Sequence, residues 1–375
     1  MTRIYFDNAA TTPIDPLVLE SMLPYLHSHF GNPSSIYSFG RETRLAIENA
    51  RKTVAGILKV RPGEIFFTSG GTESDNMAIR SAIEDLGCRH IITSPLEHHA
   101  VLHTVTAVEK SHGLTTAMVN VLPNGHIDML HLEQLLKNAT QRCLVSLMHA
   151  NNEIGNLLDI QAVGDLCQNY NAIFHSDTVQ TVGHYPLDFN KYNIHFATGA
   201  AHKFHGPKGV GILFIAETVK VNPIIHGGGQ ERNMRAGTEN VPGIVGFAKA
   251  LEIASKQMET GQNHIIHLKN LLASQLLQNI PGVRFNGDWD GQSLYTVLNV
   301  SFPRTPQSEL LLMSLDMQGI CVSAGSACSS GASQGSHVIQ AIPGKNEGVP
   351  IRFSFSKYNT EAEVAQLIQK LKEIL

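Results

Sequence analysis

The sequence predicts an α/β protein, with a large domain built on a mainly parallel sheet and a smaller α+β domain beside it. Three observations carry this. Up to about residue 255, short runs rich in β-branched and aromatic residues are interspersed with longer stretches of helical spacing. Several of those runs end in glycine-rich or polar turns, and open α/β sheets bind ligands at that carboxyl edge. From about Lys256 the pattern changes to strand-then-helix units that read as a separate core. The expected division is 14–255 for the large domain, and 1–13 with 256–375 for the small one.

Composition narrows the function classes. The chain has 375 residues, 42% hydrophobic and 16% charged, which suits a globular protein with a sizeable core. No apolar run reaches the roughly 18–20 residues that a bilayer span needs. The opening residues, Met1 to Asp7, lack the apolar stretch of a signal peptide, so a cytoplasmic chain without a membrane partner is expected. A formal charge of -4 and the absence of basic clusters argue against nucleic acid as a main partner. The five cysteines, Cys88, Cys143, Cys167, Cys321 and Cys328, are odd in number and scattered, as free thiols in a reducing compartment would be.

In order, the turn-rich segment Asp7 to Pro13 precedes an amphipathic helix near Leu17–Leu26. The loop Gly31 to Ser35 follows, then a helix over Arg41–Leu58 with Leu45, Ile47, Val54 and Ile57 at helical spacing. Glu64–Thr68 is a strand running into Ser69-Gly-Gly-Thr72 and a helix through Ala78–Ile83. A strand, a glycine turn and a helix start present unpaired N–H groups and a positive dipole end, which is a phosphate site or a plain capped helix. The Gly-Lys-Ser/Thr of a nucleotide-binding Walker loop is missing. The strand His90–Thr93 leads to His98 and His99, and the strand Arg142–Met148 ends in a polar turn around Asn152. Ala172–His175 is a further strand, and Asp177 directly after it points to the carboxyl-edge crevice, unless it only caps the next helix.

Asn193–Thr198 and Val210–Ile215 read as two strands around a turn that holds Lys203. Small residues at Gly199, Ala200 and Ala201 leave room for a bulky group beside the amine, and Gly206-Pro207 sets the chain direction after it. Such a lysine can form a Schiff base if its surroundings disfavour the ammonium form; it is otherwise an ordinary surface lysine. The glycine-rich loop Ile225 to Asn240 has no apolar face. The smaller unit reads as a helix near His264–Leu277, a strand Tyr295–Ser301, a helix Ser308–Met317, a strand Pro350–Ser354 and a final helix Glu361–Leu375. Within it, the residues after Val322 are nearly all small and carry Cys328, which reads as a thiol on a mobile arm; Cys321 reads as a buried cysteine.

Taken together, these motifs resemble the NifS/IscS-type cysteine desulfurases, within the aspartate-aminotransferase fold (fold type I) of enzymes dependent on pyridoxal 5'-phosphate (PLP). The likeness runs from Asp7-Asn-Ala-Ala-Thr-Thr-Pro13 to Arg352-Phe-Ser354. It implies that Lys203 carries PLP, with Gly71, Thr72 and His202 at its phosphate, His98 against the ring as a proton shuttle, Asp177 at the pyridine nitrogen and Gln180 at the phenolic oxygen. Asn152 and Arg352 would bind the carboxylate of L-cysteine, and Asn152 would also lie near PLP. The Arg235-Ala-Gly-Thr238 segment would cross a homodimer interface and give Thr238 to the partner's phosphate. The wording Ser-Ala-Cys-Ser around Cys328 resembles the group with a long cysteine loop, which implies a persulfide on Cys328, alanine as co-product, and an iron–sulfur scaffold or a tRNA-thiolation relay as sulfur acceptor. No residue is assigned to a metal. Two departures stand out: Ala200 replaces a serine that bonds the PLP phosphate, and Leu375 follows closely on the last helix, where some relatives have a scaffold-docking tail.

Overall fold

A computed structural model describes residues 3–325, 335–344 and 348–375; Cys328 lies outside the described residues. The chain begins with β1 (Ile4–Tyr5), α1 (Pro16–His27) and α2 (Ser38–Leu58). Asp15 starts α1 by accepting the N–H of Leu17, and Pro16 occupies the first helical position, where no N–H is required. Next come β2 (Ile65–Thr68), α3 (Gly71–Glu84), β3 (His90–Thr93), α4 (His99–His112), β4 (Thr115–Met118), α5 (Met129–Asn138), β5 (Cys143–Ser146), α6 (Ile160–Asn169), β6 (Ile173–Asp177), β7 (Phe196–Ala200) and β8 (Gly211–Ile215). These strands form one sheet in the order β2-β8-β7-β6-β5-β3-β4. Only β8 opposes its neighbours; the other pairings are parallel.

Strands β5, β6 and β7 are buried along their whole length, as strands covered on both faces must be. Side chains alternate between two cores, so Ala197 joins Val54, Phe174 and Phe247 on one face while Phe196 joins Met77, Ile79 and Val101 on the other. A one-turn α7 (Gln230–Asn233) and α8 (Val241–Lys256) lead to α9 (Met258–Asn279), β9 (Arg284–Phe285), β10 (Val297–Pro303), α10 (Pro306–Glu309), α11 (Leu311–Met317), β11 (Ile320–Cys321), α12 (His337–Ala341), β12 (Gly348–Ser354) and α13 (Glu361–Ile374). The order β12-β10-β9 makes an antiparallel sheet, and β1 pairs with β11 in parallel. A third core gathers Leu272, Leu298, Phe302, Phe353 and Leu367 with Ile4 and Phe6 from the start of the chain.

Some elements differ from the expectation. Asn193 has φ 49, a left-handed conformation that no strand accommodates, so β7 begins at Phe196. The helix expected over Ser308–Met317 is broken at Leu310, whose ψ of 4 is not helical. Cys321 is half-buried rather than buried, because β11 is only two residues long and pairs on one side. Helix α1 leaves Leu17, Leu19, Leu23 and Leu26 exposed, and Phe30 and Ile36 after it are 73% and 89% exposed. Among the described residues no helix is long and apolar enough to cross a membrane.

Candidate active site

The parallel strands run in one direction, so the residues at or after their carboxyl ends gather along one edge of the sheet. From β2 come Gly71 and Thr72, from β3 His98, from β5 Asn152, from β6 Asp177 and from β7 Lys203. Lys203 ends a single 3-10 turn in the β7–β8 hairpin, and its Nζ donates to the carbonyls of Ala9 (2.6 Å) and Ala10 (2.8 Å). The turn is tight. A Cβ on Gly206 would lie 2.6 Å from the Ala201 Cβ and 2.8 Å from its carbonyl oxygen, so only glycine fits there.

Helix α3 opens on Gly70 without a side-chain cap, whereas α4, α5, α6, α8 and α13 are each capped by a side chain. Its first intrahelical bond runs from Ser74 N–H to Gly70 O, which leaves the amides of Gly71, Thr72 and Glu73 at the positive end of the dipole. Gly71 is forced by packing, since a Cβ there would lie 2.7 Å from Val179 Cγ2. The same point is 4.0 Å from the Ala200 Cβ, so the cradle and β7 meet at residue 200.

Asp177 is buried, and its Oδ1 accepts the N–H of Val179 at 2.9 Å and, at a long 3.5 Å, the Thr198 hydroxyl. Burial and the Asp75 carboxyl push it up, to about 6, while His98 and His175 pull it down. His98 caps α4 by accepting the Ala100 N–H on Nδ1 (3.1 Å), which leaves the ring proton of the neutral imidazole on Nε2. Burial first, then Lys203, lower its pKa, and Asp177 opposes them. These three groups therefore share one electrostatic site.

Arg352 on β12 is fully buried and reaches that site from the smaller unit. Its guanidinium donates to the Asn152 carbonyl (2.9 Å) and to Asp7 Oδ1 (2.7 Å), and its buried Nε finds no hydrogen-bond partner among the described residues. Gln180 is buried and donates to the Ala9 carbonyl at 3.1 Å, and His202 Nδ1 lies 3.2 Å from the Thr11 hydroxyl. Thr238 lies on the loop that Arg235 ties to Glu73 in the first turn of α3. It lines a hollow with Thr68, Ser69 and Arg235, next to the start of α3. The loop carrying it is held by a buried bidentate pair, Arg51 with Glu231 (2.8 and 2.9 Å), and Glu231, Arg232 and Asn233 all keep positive φ.

Three features escaped sequence reasoning. Asp7 orients Arg352, the carbonyls of Ala9 and Ala10 hold Lys203, and a buried layer of Asp75, Glu97 and His175 lies beside Asp177. Burial raises Asp75 to about 7 and Glu97 well above the carboxylate range. The signal for Asp75 was its place four residues after Gly71, one turn along the same helix.

These burials make an acid-stability prediction. Desolvation pushes His149, His175, His202 and His205 down to about 4. Between their unfolded value near 6.5 and about 4 the unfolded chain binds more protons, so this stability is fully present above pH 6.5 and is lost as pH falls through the window. Asp75, Glu97 and Asp177, all raised, oppose it in part. The unfolding free energy from urea titration without cofactor should fall from pH 6.5 to 4.5, by about 1.4 kcal/mol per pH unit for each net proton, and the urea midpoint with it. A flat or rising midpoint would contradict the burial of these imidazoles.

Comparison with known proteins settles the family. The pattern described as Aminotransferase class-V matches residues 4–367. The chain belongs to the class-V aminotransferase family. A "Cysteine desulfurase IscS" from Dictyoglomus turgidum is 43% identical over 377 residues, covering 100% of this chain and 94% of that protein. A solved "NIFS-LIKE PROTEIN" superposes with a TM-score of 0.91 at 40% identity, covering 100% of this chain and 99% of that one. "SspA in complex with cysteine" superposes with a TM-score of 0.81 at 30% identity, covering 96% of this chain and 100% of that one. The fold is thus the PLP-dependent fold type I.

Class-V aminotransferases of this group use PLP, and the residues present fit it. The uncapped start of α3 suits a phosphate, and buried Asp177 suits a cationic ring nitrogen. When bound, PLP supplies an electron sink for charge developing at the substrate α-carbon. Ala200 shares the α3-facing side of β7 with Phe196. With Lys203→Ala as background, to remove covalent retention, Ala200→Ser should tighten PLP binding roughly tenfold to a hundredfold, the effect of one hydrogen bond to a charged acceptor. Fluorescence titration of the paired variants measures it; unchanged affinity would place the added hydroxyl away from the phosphate.

Proposed function

We infer that this protein is a PLP-dependent cysteine desulfurase. L-Cysteine and the Cys328 thiol give L-alanine and a Cys328 persulfide: the substrate C–S bond breaks as the S–S bond forms, and no outside oxidant is consumed. The observation that carries this reading is the convergence of Lys203, Asp177 and His98 at one sheet edge, with buried Arg352 reaching it from the other unit.

In this reading Lys203 would hold PLP and move the α-proton, its amine kept in place by the Ala9 and Ala10 carbonyls. Asp177 would pair with the pyridine nitrogen and Gln180 with the phenolic oxygen, and His98, whose neutral ring keeps its proton on Nε2, would lie against the ring as a proton shuttle. Gly71, Thr72, His202 and, from a second copy, Thr238 would hold the phosphate. Arg352 and Asn152 bind the substrate carboxylate, with Asp7 setting the plane of the fork. Cys328 as thiolate takes the sulfur. A homodimer is supported by the exposed apolar run from Leu17 to Phe39 beside the loop that carries Thr238, since Gln230 of that loop lies 3.5 Å from Ser34. Two domains, 14–255 and 1–13 with 256–375, are supported by separate apolar cores. The sulfur then passes, in the cytoplasm, to an acceptor protein of iron–sulfur assembly or tRNA thiolation.

The test is incubation of the PLP-loaded protein with L-cysteine and a reductant. Equimolar alanine and sulfide are expected. Full PLP occupancy without alanine would overturn the reading.

A further inference from the structure

Beside Asn152 lies a buried carboxyl with no part in the chemistry above. Glu153 is 1% exposed. Its Oε2 accepts the hydroxyl of Ser336, its carbonyl accepts Asn299 Nδ2 at 2.9 Å, and its N–H donates to Asn151 Oδ1 at 2.8 Å. Asn299 sits on β10 opposite Arg352 of β12. Residue 153 is thus bonded to the strand pair that carries the substrate-binding arginine.

Ser336 is the N-cap of α12, where its hydroxyl also accepts the Ile339 N–H at 3.1 Å. The next residue, His337, bonds the Glu97 carbonyl at 3.0 Å and stacks on His99, ring centroids 4.6 Å apart. Val338, Ile339 and Ile342 pack against Leu96 and Ile154 in a small core of their own. Every contact of α12 named here falls within two residues of His98 or Asn152, and Glu97, His99 and Glu153 adjoin them directly. A five-residue helix cannot hold itself together, so its placement depends on these anchors.

We propose that Glu153 is a positioning residue, which fixes α12, the first described helix after Cys328 in the chain, to the substrate-binding turn. The kinetic part rests on the desulfurase reading; the anchor does not. Removing the carboxyl leaves the Asn152 carbonyl bond to Arg352 in place but releases Ser336, so cysteine binding should survive while sulfur transfer slows. Mere structural support would lower PLP content and substrate affinity together.

Three measurements on the PLP-loaded, full-length protein decide the matter. In Glu153→Ala, hydrogen exchange of the α12 amides should quicken roughly tenfold, the effect of losing one buried hydrogen bond. Alanine formation should show kcat down roughly tenfold with KM nearly unchanged, because the loss falls on the step after binding. Glu153→Gln keeps an acceptor for Ser336 and should restore both. Unaltered α12 exchange would overturn the anchor, and so would a rise in KM that accounts for the whole loss, or a failure of Glu153→Gln to rescue. Absence of alanine from the unsubstituted protein would overturn the desulfurase reading instead, leaving the exchange measurement to judge the anchor alone.

Discussion

Lys203→Ala should give a folded protein that binds PLP without a covalent link and has lost alanine formation by on the order of 10²–10⁴-fold, the contribution of a positioned proton-transfer group. Folding should survive because the Lys203 side chain is half-buried on a single 3-10 turn and its amine bonds the backbone carbonyls of Ala9 and Ala10. Borohydride reduction followed by peptide mass spectrometry makes the test: the unsubstituted protein should carry the cofactor on residue 203 and the variant nowhere. A reducible adduct in the variant would move the role to another lysine. The visible absorption band of the loaded protein should shift on adding L-cysteine, and the variant should lack the band of the covalent form.

Cys328→Ser should separate the thiol chemistry from the lysine chemistry. The variant should load PLP, and L-cysteine should still change its spectrum, because Lys203, Asp177 and Arg352 are untouched. Sulfide release should fall roughly 100-fold or more, about 2.7 kcal/mol or more on the barrier, since a hydroxyl is a poor nucleophile toward sulfur at neutral pH. Thiol-specific labelling with mass detection would show a persulfide on residue 328 of the unsubstituted protein and none on the variant. Sulfide at the unsubstituted rate would exclude Cys328 as acceptor, and Cys321, half-buried on β11, would then be examined by the same substitution.

The elements easiest to read in the sequence were those in which one short stretch carries its own instructions. Apolar Ile65–Thr68 followed by two glycines announces a strand, a turn and a helix start, and the structure puts an uncapped helix there. Asp177 ends a buried strand and Lys203 a hairpin turn, both visible as abrupt changes of residue type. Short or weakly patterned pieces were harder: β4, β9, β11 and α12 have little periodicity of their own and form because neighbours cover them.

The sequence by itself determined the family, the α/β class, and the identity and order of the groups proposed for the chemistry, because strand, turn and helix signals act over a few residues. Tertiary structure alone decided which distant residues complete them. Asp7 meets Arg352 across 345 positions, Ser336 meets Glu153 across 183, and Arg51 meets Glu231 across 180. Each pair buries a charge or a carboxyl that would be costly without its partner. Nothing local in the chain names that partner, since the pairing arises only when the sheets, packing their apolar faces, bring the two segments within hydrogen-bond reach.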